Sequence, residues 1–312
     1  MTEDSASEAV PGGDGRPGLD DLNLAPGKEA RLRGMLYGHG AGNGTLLVLP
    51  IDHGLEHGPI DFLPHPPAAD PHHQFELALR GGYNALACQI GLAERYFPEY
   101  AGRVPLILKL NGKTGIPDDD DAHSPLNASV EDAVRLGAHA VGYTHYVGSP
   151  RQSRHHEDLA RVREDCDRYG MPLVIWGYPR GSAVAASGGR DSLYAVDYAA
   201  RAALELGADV VKLNLPRRSE KDGDMPRPYR ELEWTPAEGA QRVVESARDT
   251  LVLFSGGSRQ GAADALEKAR LAMDAGASGL IFGRNMWQRP LEEALELTER
   301  VKELFGDYGV DG

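Results

Sequence analysis

The chain has 312 residues, 41% of them hydrophobic and 26% charged, which is ordinary for a single α/β barrel with a sizeable core. Its formal charge of −14 argues against nucleic acid as the main partner, because binding phosphate backbones calls for a basic surface. No apolar run approaches the ~20 residues that span a bilayer, and the acidic, Gly-rich start MTEDSASEAVPGGDGRPG lacks the apolar stretch of a secretory signal.

Two cysteines, Cys88 and Cys166, make neither a disulfide framework nor a zinc spacing, so a reduced, cytoplasmic setting is expected. Of the 33 basic residues only seven are Lys, and a Lys inside an apolar strand therefore needs an explanation. The acidic balance itself fits either a high-salt host or an ordinary soluble surface.

In chain order, residues 1–24 are polar and Gly/Pro-containing and are expected to form a disordered arm. The barrel domain is expected over residues 25–312, opening with a short amphipathic helix around Lys28–Tyr37. Eight apolar runs follow: Leu46–Asp52, Ala85–Gly91, Pro105–Gly112, Ala140–Tyr146, Pro172–Pro179, Asp209–Leu215, Thr250–Gly257 and Gly279–Asn285. Their near-continuous cores, such as LLVLP, LVIW and TLVLF, suit parallel strands covered on both faces.

Amphipathic helices are predicted between them, among them Asp191–Leu206, Ala263–Ala275 and Pro290–Phe305. RLGAHAV, ELGADVV and DAGASGL place Gly137, Gly207 and Gly276 where a helix must cap before the next strand. Eight consecutive βα units predict a closed (β/α)8 TIM barrel. A doubly wound open sheet is the alternative fold, but it would show a switch point. Two connections are long: the Asp118–Asp121 run after strand 3, and Pro216–Trp234 after strand 6, which reads as a lid, an interface or a disordered insert.

A barrel's active site lies at the C-terminal ends of its strands, which makes a short catalogue of polar residues there. Lys212 sits in ADVVKLNLP. An ammonium in that setting must be paired or must lose its proton, and a free amine near neutral pH is what a Schiff-base nucleophile requires. The bland reading is a structural Lys paired with a carboxylate such as Asp52. Lys109 in LILKLNG competes for the role, and its charge would depress Lys212 by like-charge repulsion.

Tyr178, at the end of strand 5, is placed to shuttle protons beside strand 6, or else is a satisfied core Tyr. Trp176 points the same way and would wall the pocket. Ser255, Gly256 and Gly257, with Gly283 and Arg284 one strand on, read as the phosphate site of a TIM barrel, with Arg284 adding a charged fork. His53-Gly-Leu-Glu56-His57 matches a zinc-peptidase string that needs a helix; following a strand and running into Gly58-Pro59, it reads better as a turn.

Together the strings LPIDHGLEHGP, LKLNGKT, GYTHYVGSP, VIWGYPRG, ELGADVVKLN, LFSGGS and GLIFGRNMWQRP resemble the archaeal-type class I fructose-1,6-bisphosphate aldolases, in the wider group that includes deoxyribose-phosphate aldolase. The resemblance spans about residues 28–305. It implies Lys212 as the Schiff-base lysine, Tyr178 as the proton shuttle and Asp52 as a substrate-binding residue that assists proton transfer. It also implies Trp176 beside the substrate, the SGG and GRN strings on phosphate, no cofactor or metal, and a homo-oligomer.

The acidic arm, the Asp118–Asp121 run and the charged loop after strand 6 depart from the family pattern and touch substrate choice most. A related Schiff-base synthase making a heptulosonate precursor of aromatic amino acids is the alternative enzyme. A non-catalytic barrel that binds sugar phosphate is the alternative of another class. A class II, metal-dependent aldolase would need a ligand set that the sequence does not offer.

Overall fold

The computed structural model describes residues 16–310. Eight strands run β1 (Leu46–Pro50), β2 (Ala85–Gln89), β3 (Leu106–Lys109), β4 (Ala140–Val147), β5 (Leu173–Pro179), β6 (Val210–Leu213), β7 (Leu251–Ser255) and β8 (Gly279–Ile281). Each pairs in parallel with its neighbours, and β8 closes on β1. The helices are α1 (Pro26–Gly38), α2 (His53–Glu56), α3 (Pro71–Arg80), α4 (Ile90–Tyr96), α5 (Val130–Arg135), α6 (Gln152–Tyr169), α7 (Ser182–Ala185), α8 (Leu193–Glu205), α9 (Arg227–Arg230), α10 (Pro236–Ala247), α11 (Ala262–Asp274), α12 (Arg284–Trp287) and α13 (Leu291–Phe305).

All eight expected strands form; six are shorter at the C-terminal end than their apolar runs, β5 ends where its run ends, and β4 runs one residue longer. The chain leaves the sheet there to build loops. Gly137, Gly207 and Gly276 carry φ of 68°, 87° and 89°, the left-handed caps that let a helix stop and the next strand begin.

Strand alternation divides the apolar residues into two bodies. Leu47, Leu49, Leu86, Leu108, Val211 and Phe254 face outward into the layer shared with the helices. Val48, Ala87, Ile107, Val174, Leu253 and Ile281 face inward and fill the barrel. Leu32, Met35 and Leu36 of α1 and Leu19 join the inner body, so α1 plugs the N-terminal end of the barrel. Fully burying Leu32 contributes about 1.5–3 kcal/mol. Lys28 fastens the plug: its ammonium lies 3.1 Å from Asp209, whose carboxylate also accepts a 2.7 Å bond from the Leu173 amide.

The expected arm over residues 1–24 lies outside the described residues up to residue 15. Its last stretch is docked. Arg16 is buried and donates to the carbonyls of Ala277 (2.7 Å), Met273 (2.9 Å) and Tyr308 (2.7 Å). One of these carbonyls, that of Met273, lies in the last turn of α11. The partners are more than 250 residues away in sequence, so nothing local signals the docking. The Pro216–Trp234 segment is folded: it contains a 3-10 turn and α9, buries Met225 and Trp234, and donates the Tyr229 hydroxyl to Asp197 at 2.7 Å.

Candidate active site

Above the inner apolar body, the same alternation lifts polar side chains toward the C-terminal end of the barrel. Lys109 and Lys212 project inward from β3 and β6, and Trp176 pairs with Lys212 in the β5–β6 register. One step higher come Tyr178, Asn214, Ser255 and, just past β1, Asp52. Asp52, Tyr178, Lys212, Ser255, Gly256, Gly257, Gly283 and Arg284 line one cavity of about 670 Å³, within the size range of small-molecule sites. Trp176 and Lys109 are buried beneath it.

The two inward lysines have different surroundings. Lys109 Nζ donates to Thr144 Oγ1 (2.8 Å), Glu56 Oε1 (2.9 Å) and Asp52 Oδ2 (3.2 Å), and sits 4.5 Å from the centre of the Trp176 ring. Burial opposes its charge, but the carboxylates of Glu56 and Asp52 outweigh burial and raise its pKa. Lys212 makes no hydrogen bond or ion pair among the described residues; its Nζ lies 4.2 Å from the centre of the Tyr178 ring. Burial pulls it down to about 8; the charges of Asp52 and Glu56 oppose this, and those of Lys109 and Arg284 add to the fall. Asp52 therefore pairs with Lys109 rather than with Lys212. Burial pushes the Asp52 carboxyl up, yet Lys109, His53 and Lys212 hold it below the usual carboxylate range.

Across the cavity, the ends of β7 and β8 form a cradle beside the cations Lys268, Arg217 and Arg284. Ser255 Oγ donates to Asn214 Oδ1 at 2.6 Å, and Asn214 is itself held by Asp191 at 2.8 Å. Gly257 has φ 72° and turns its backbone beside Lys268 and Arg217, a conformation that suits glycine. Lys268 reaches the Gly256 carbonyl at 3.2 Å. Arg284 lines the cavity; its Nε is buried and donates to no described group, and its Nη1 lies 3.9 Å from Asp61.

Residues 46–289 match the model of the DeoC/LacD family aldolases. The chain belongs to that aldolase family. It is 41% identical over 270 residues to the class 1 fructose-bisphosphate aldolase of Thermoproteus tenax, covering 86% of this chain and 92% of that one. It is 38% identical over 251 residues to the enzyme of the same name from Halobacterium salinarum, covering 79% and 86%. An archaeal fructose-1,6-bisphosphate aldolase with its catalytic Lys covalently bound to the carbinolamine intermediate of the substrate superposes with a TM-score of 0.74 at 38% identity, covering 88% and 98%. The aldolase of Slackia heliotrinireducens gives 0.80 at 28% identity, covering 94% and 92%.

Sequence reasoning passed over several residues of this DeoC/LacD aldolase. Glu56 and Thr144 complete the Lys109 cage; Lys113, Arg190, Arg217 and Lys268 add cations to the cavity. The scarcity of Lys was the available signal for Lys113 and Lys268. Asn111 and Tyr143, polar residues near strand ends, are structural instead: Asn111 ties β3 to the Thr144 backbone at 2.7 and 2.9 Å, and the Tyr143 hydroxyl donates to the His155 carbonyl at 3.1 Å.

The His53–His57 string is helical, not the expected turn: α2 starts at His53. Its two imidazoles meet edge to face 4.9 Å apart. With Asp61 they bring possible ligand atoms within 4.8 Å of one another, a set the sequence reading did not find. The surrounding charge disfavours a cation there. Arg284 stands 3.9 Å from Asp61, and His57 Nδ1 is already hydrogen-bonded to Asp61 at 2.6 Å. Burial, aided by His57, Arg284 and Lys212, holds His53 down to about 3, and therefore neutral. The trio is better described as a brace beside Arg284.

Proposed function

We propose that this chain is a class I aldolase that reversibly cleaves fructose 1,6-bisphosphate to dihydroxyacetone phosphate and glyceraldehyde 3-phosphate through an iminium on Lys212. The observation that carries the reading is the contrast between the lysines. Lys109 is neutralised in a cage of carboxylates, whereas Lys212 is buried, unpaired and depressed to about 8. The names of the archaeal relatives support the same substrate, and a barrel that only bound sugar phosphate would have no use for a free amine in its interior.

The ketose phosphate near its C2 carbonyl is held by the Ser255–Gly257 and Gly283 backbone with Lys268, Arg217 and Arg284. Lys212 Nζ attacks C2, and the carbinolamine takes a proton from the Tyr178 hydroxyl as it loses water to give an iminium. The C4 hydroxyl then gives its proton to the Tyr178 phenolate, assisted by Asp52; the C3–C4 bond breaks, and its electron pair flows into the iminium to leave an enamine. Glyceraldehyde 3-phosphate departs. Protonation at C3 and hydrolysis then release dihydroxyacetone phosphate and restore the amine.

The Lys109 charge, fixed by its own carboxylates, favours the neutral amine of Lys212 at the start and keeps Asp52 ionised throughout. Borohydride added with dihydroxyacetone phosphate is expected to fix a stable adduct on Lys212, located by peptide mass spectrometry, and EDTA-treated protein should retain turnover. A label on Lys109, or loss of turnover in EDTA, would overturn the scheme. Product analysis separates cleavage of the hexose from synthesis of a heptulosonate precursor.

A homo-oligomer is supported by the exposed apolar side chains Ile60 and Leu63 on the segment after α2 and is tested by light scattering. A reducing, cytoplasmic setting is supported by Cys88 and Cys166, both free and buried. Among the described residues no helix is long and apolar enough to cross a membrane. The barrel from about residue 25 is taken as the catalytic unit, preceded by an arm.

A further inference from the structure

A bisphosphate has two anionic ends, and the cradle at β7 and β8 takes one. In the closed strand order, β3 and β4 lie farthest from β7 and β8, with β5 next to them. Among the cations that line the cavity on that side are Lys113, just after β3, and Arg180, just after β5. Their side chains are only 15% and 16% exposed, so each needs an anion. In the free protein they share one. Asp119 places Oδ1 3.1 Å from Lys113 Nζ and Oδ2 2.8 Å from Arg180 Nε. A carboxylate bridges the two cations as a substrate phosphate would.

The acidic run that carries Asp119 is built so that this side chain reaches the two cations. Asp121 is gripped by Arg151, with Nε to its two oxygens at 2.8 and 2.9 Å, and the Ala122 carbonyl accepts from Ser149 Oγ at 2.6 Å. These contacts pin the far end of the loop to the start of α6. Asp118 and Asp119 line the cavity, while Asp120 is exposed outside it. The Asp119 side chain is 41% exposed, so it can swing into solvent without disturbing the core.

We propose that Asp119 is a tethered anion that competes with the distal phosphate of the substrate, and so sets how strongly this enzyme prefers bisphosphorylated over monophosphorylated ketoses. The inference rests on the aldolase reading above and deepens it. A bisphosphate must displace Asp119 to reach Lys113 and Arg180; a ketose 1-phosphate leaves it in place. A phosphate dianion wins the exchange on charge, but the two ion pairs it breaks are subtracted from its affinity.

The test compares KM for fructose 1,6-bisphosphate and for fructose 1-phosphate in the full-length protein and in Asp119→Asn. Two partly exposed pairs correspond to about a three- to tenfold fall in KM for the bisphosphate, with KM for the monophosphate unchanged. Asp120→Asn alters the net charge equally and is expected to leave both constants as they were. Asp119→Glu keeps the competing charge and should behave as the parent. Should Asp119→Asn lower thermal stability, Asp119→Ser supplies a second neutral variant.

An unchanged or raised bisphosphate KM, or two constants that move together, would make Asp119 a brace for the loop and overturn the proposal. Borohydride trapping with dihydroxyacetone phosphate keeps the two questions apart. No adduct and no cleavage of either ketose defeats the aldolase reading, whereas trapping with an unaltered ratio of constants defeats only the role of Asp119.

Discussion

Two lysines on inward-facing strand positions look alike until their neighbours are known. Alternation puts both Lys109 and Lys212 inside the barrel, and it leaves open which one holds a proton. The difference lies in Glu56 and Asp52, which approach Lys109 from more than 50 residues away. This gives a pH expectation. Amine attack needs neutral Lys212, so the rate of borohydride trapping should rise with pH and level off above about 8. At pH 7 a group of that pKa is neutral in roughly one molecule in ten, against roughly one in three thousand for an ordinary Lys.

The stability sign runs the other way from a paired lysine. The folded pKa is below the unfolded one, so the full stability is present above about 10.5 and is lost as pH falls through about 8. At neutral pH this Lys therefore costs the fold about 3 kcal/mol. Lys212→Met is expected to abolish trapping and to raise the melting temperature; a fall in the melting temperature would contradict the depressed pKa. Lys109→Met should do the reverse. It leaves two buried carboxylates without their cation, at a loss of about 3–5 kcal/mol, and it removes a charge that depresses Lys212, moving the trapping profile to higher pH.

At the scale of elements, the sequence marked the strands and helix caps well because both are local. A run of β-branched and aliphatic residues, or a Gly after an amphipathic helix, needs no distant partner to be recognised. Barrel closure is different. At Gly279 of β8 a Cβ would strike the backbone of Leu46 on β1, the carbonyl oxygen most closely, so the last strand can seal against the first only if this residue has no side chain. Gly279→Ala is expected to prevent a stable barrel, seen as loss of the near-ultraviolet circular dichroism and of cooperative unfolding. Retention of both would place the seam elsewhere. The plug helix offers a graded contrast: Leu32→Ala should lower unfolding free energy in urea by about 2–5 kcal/mol while leaving catalysis at the opposite end of the barrel intact.

Over the whole molecule, a charge of −14 makes the surface repel itself, and salt screens the repulsion over a Debye length of about 10 Å at 0.1 M and about 3 Å at 1 M. The melting temperature is accordingly expected to rise between low and molar salt. KM for a bisphosphate should rise too, because screening weakens its attraction to Arg284, Lys268 and Arg217. A melting temperature that is flat or falls would leave the excess of Arg over Lys without an adaptive reading.

The sequence by itself determined the eight-fold βα repeat, its parallel barrel and the strand ends on which the polar residues sit, since these follow from periodicities of two and 3.6 residues and from local capping. The tertiary structure alone decided what each of those polar residues does. Lys109 is caged and Lys212 is left free. His53 begins a helix that His57 caps, Arg16 holds the end of α11 from the other end of the chain, and one aspartate of four reaches the cations of the cavity. All of these are settled by charge and hydrogen-bond partners brought together from distant segments, and a linear sequence carries no distance between them.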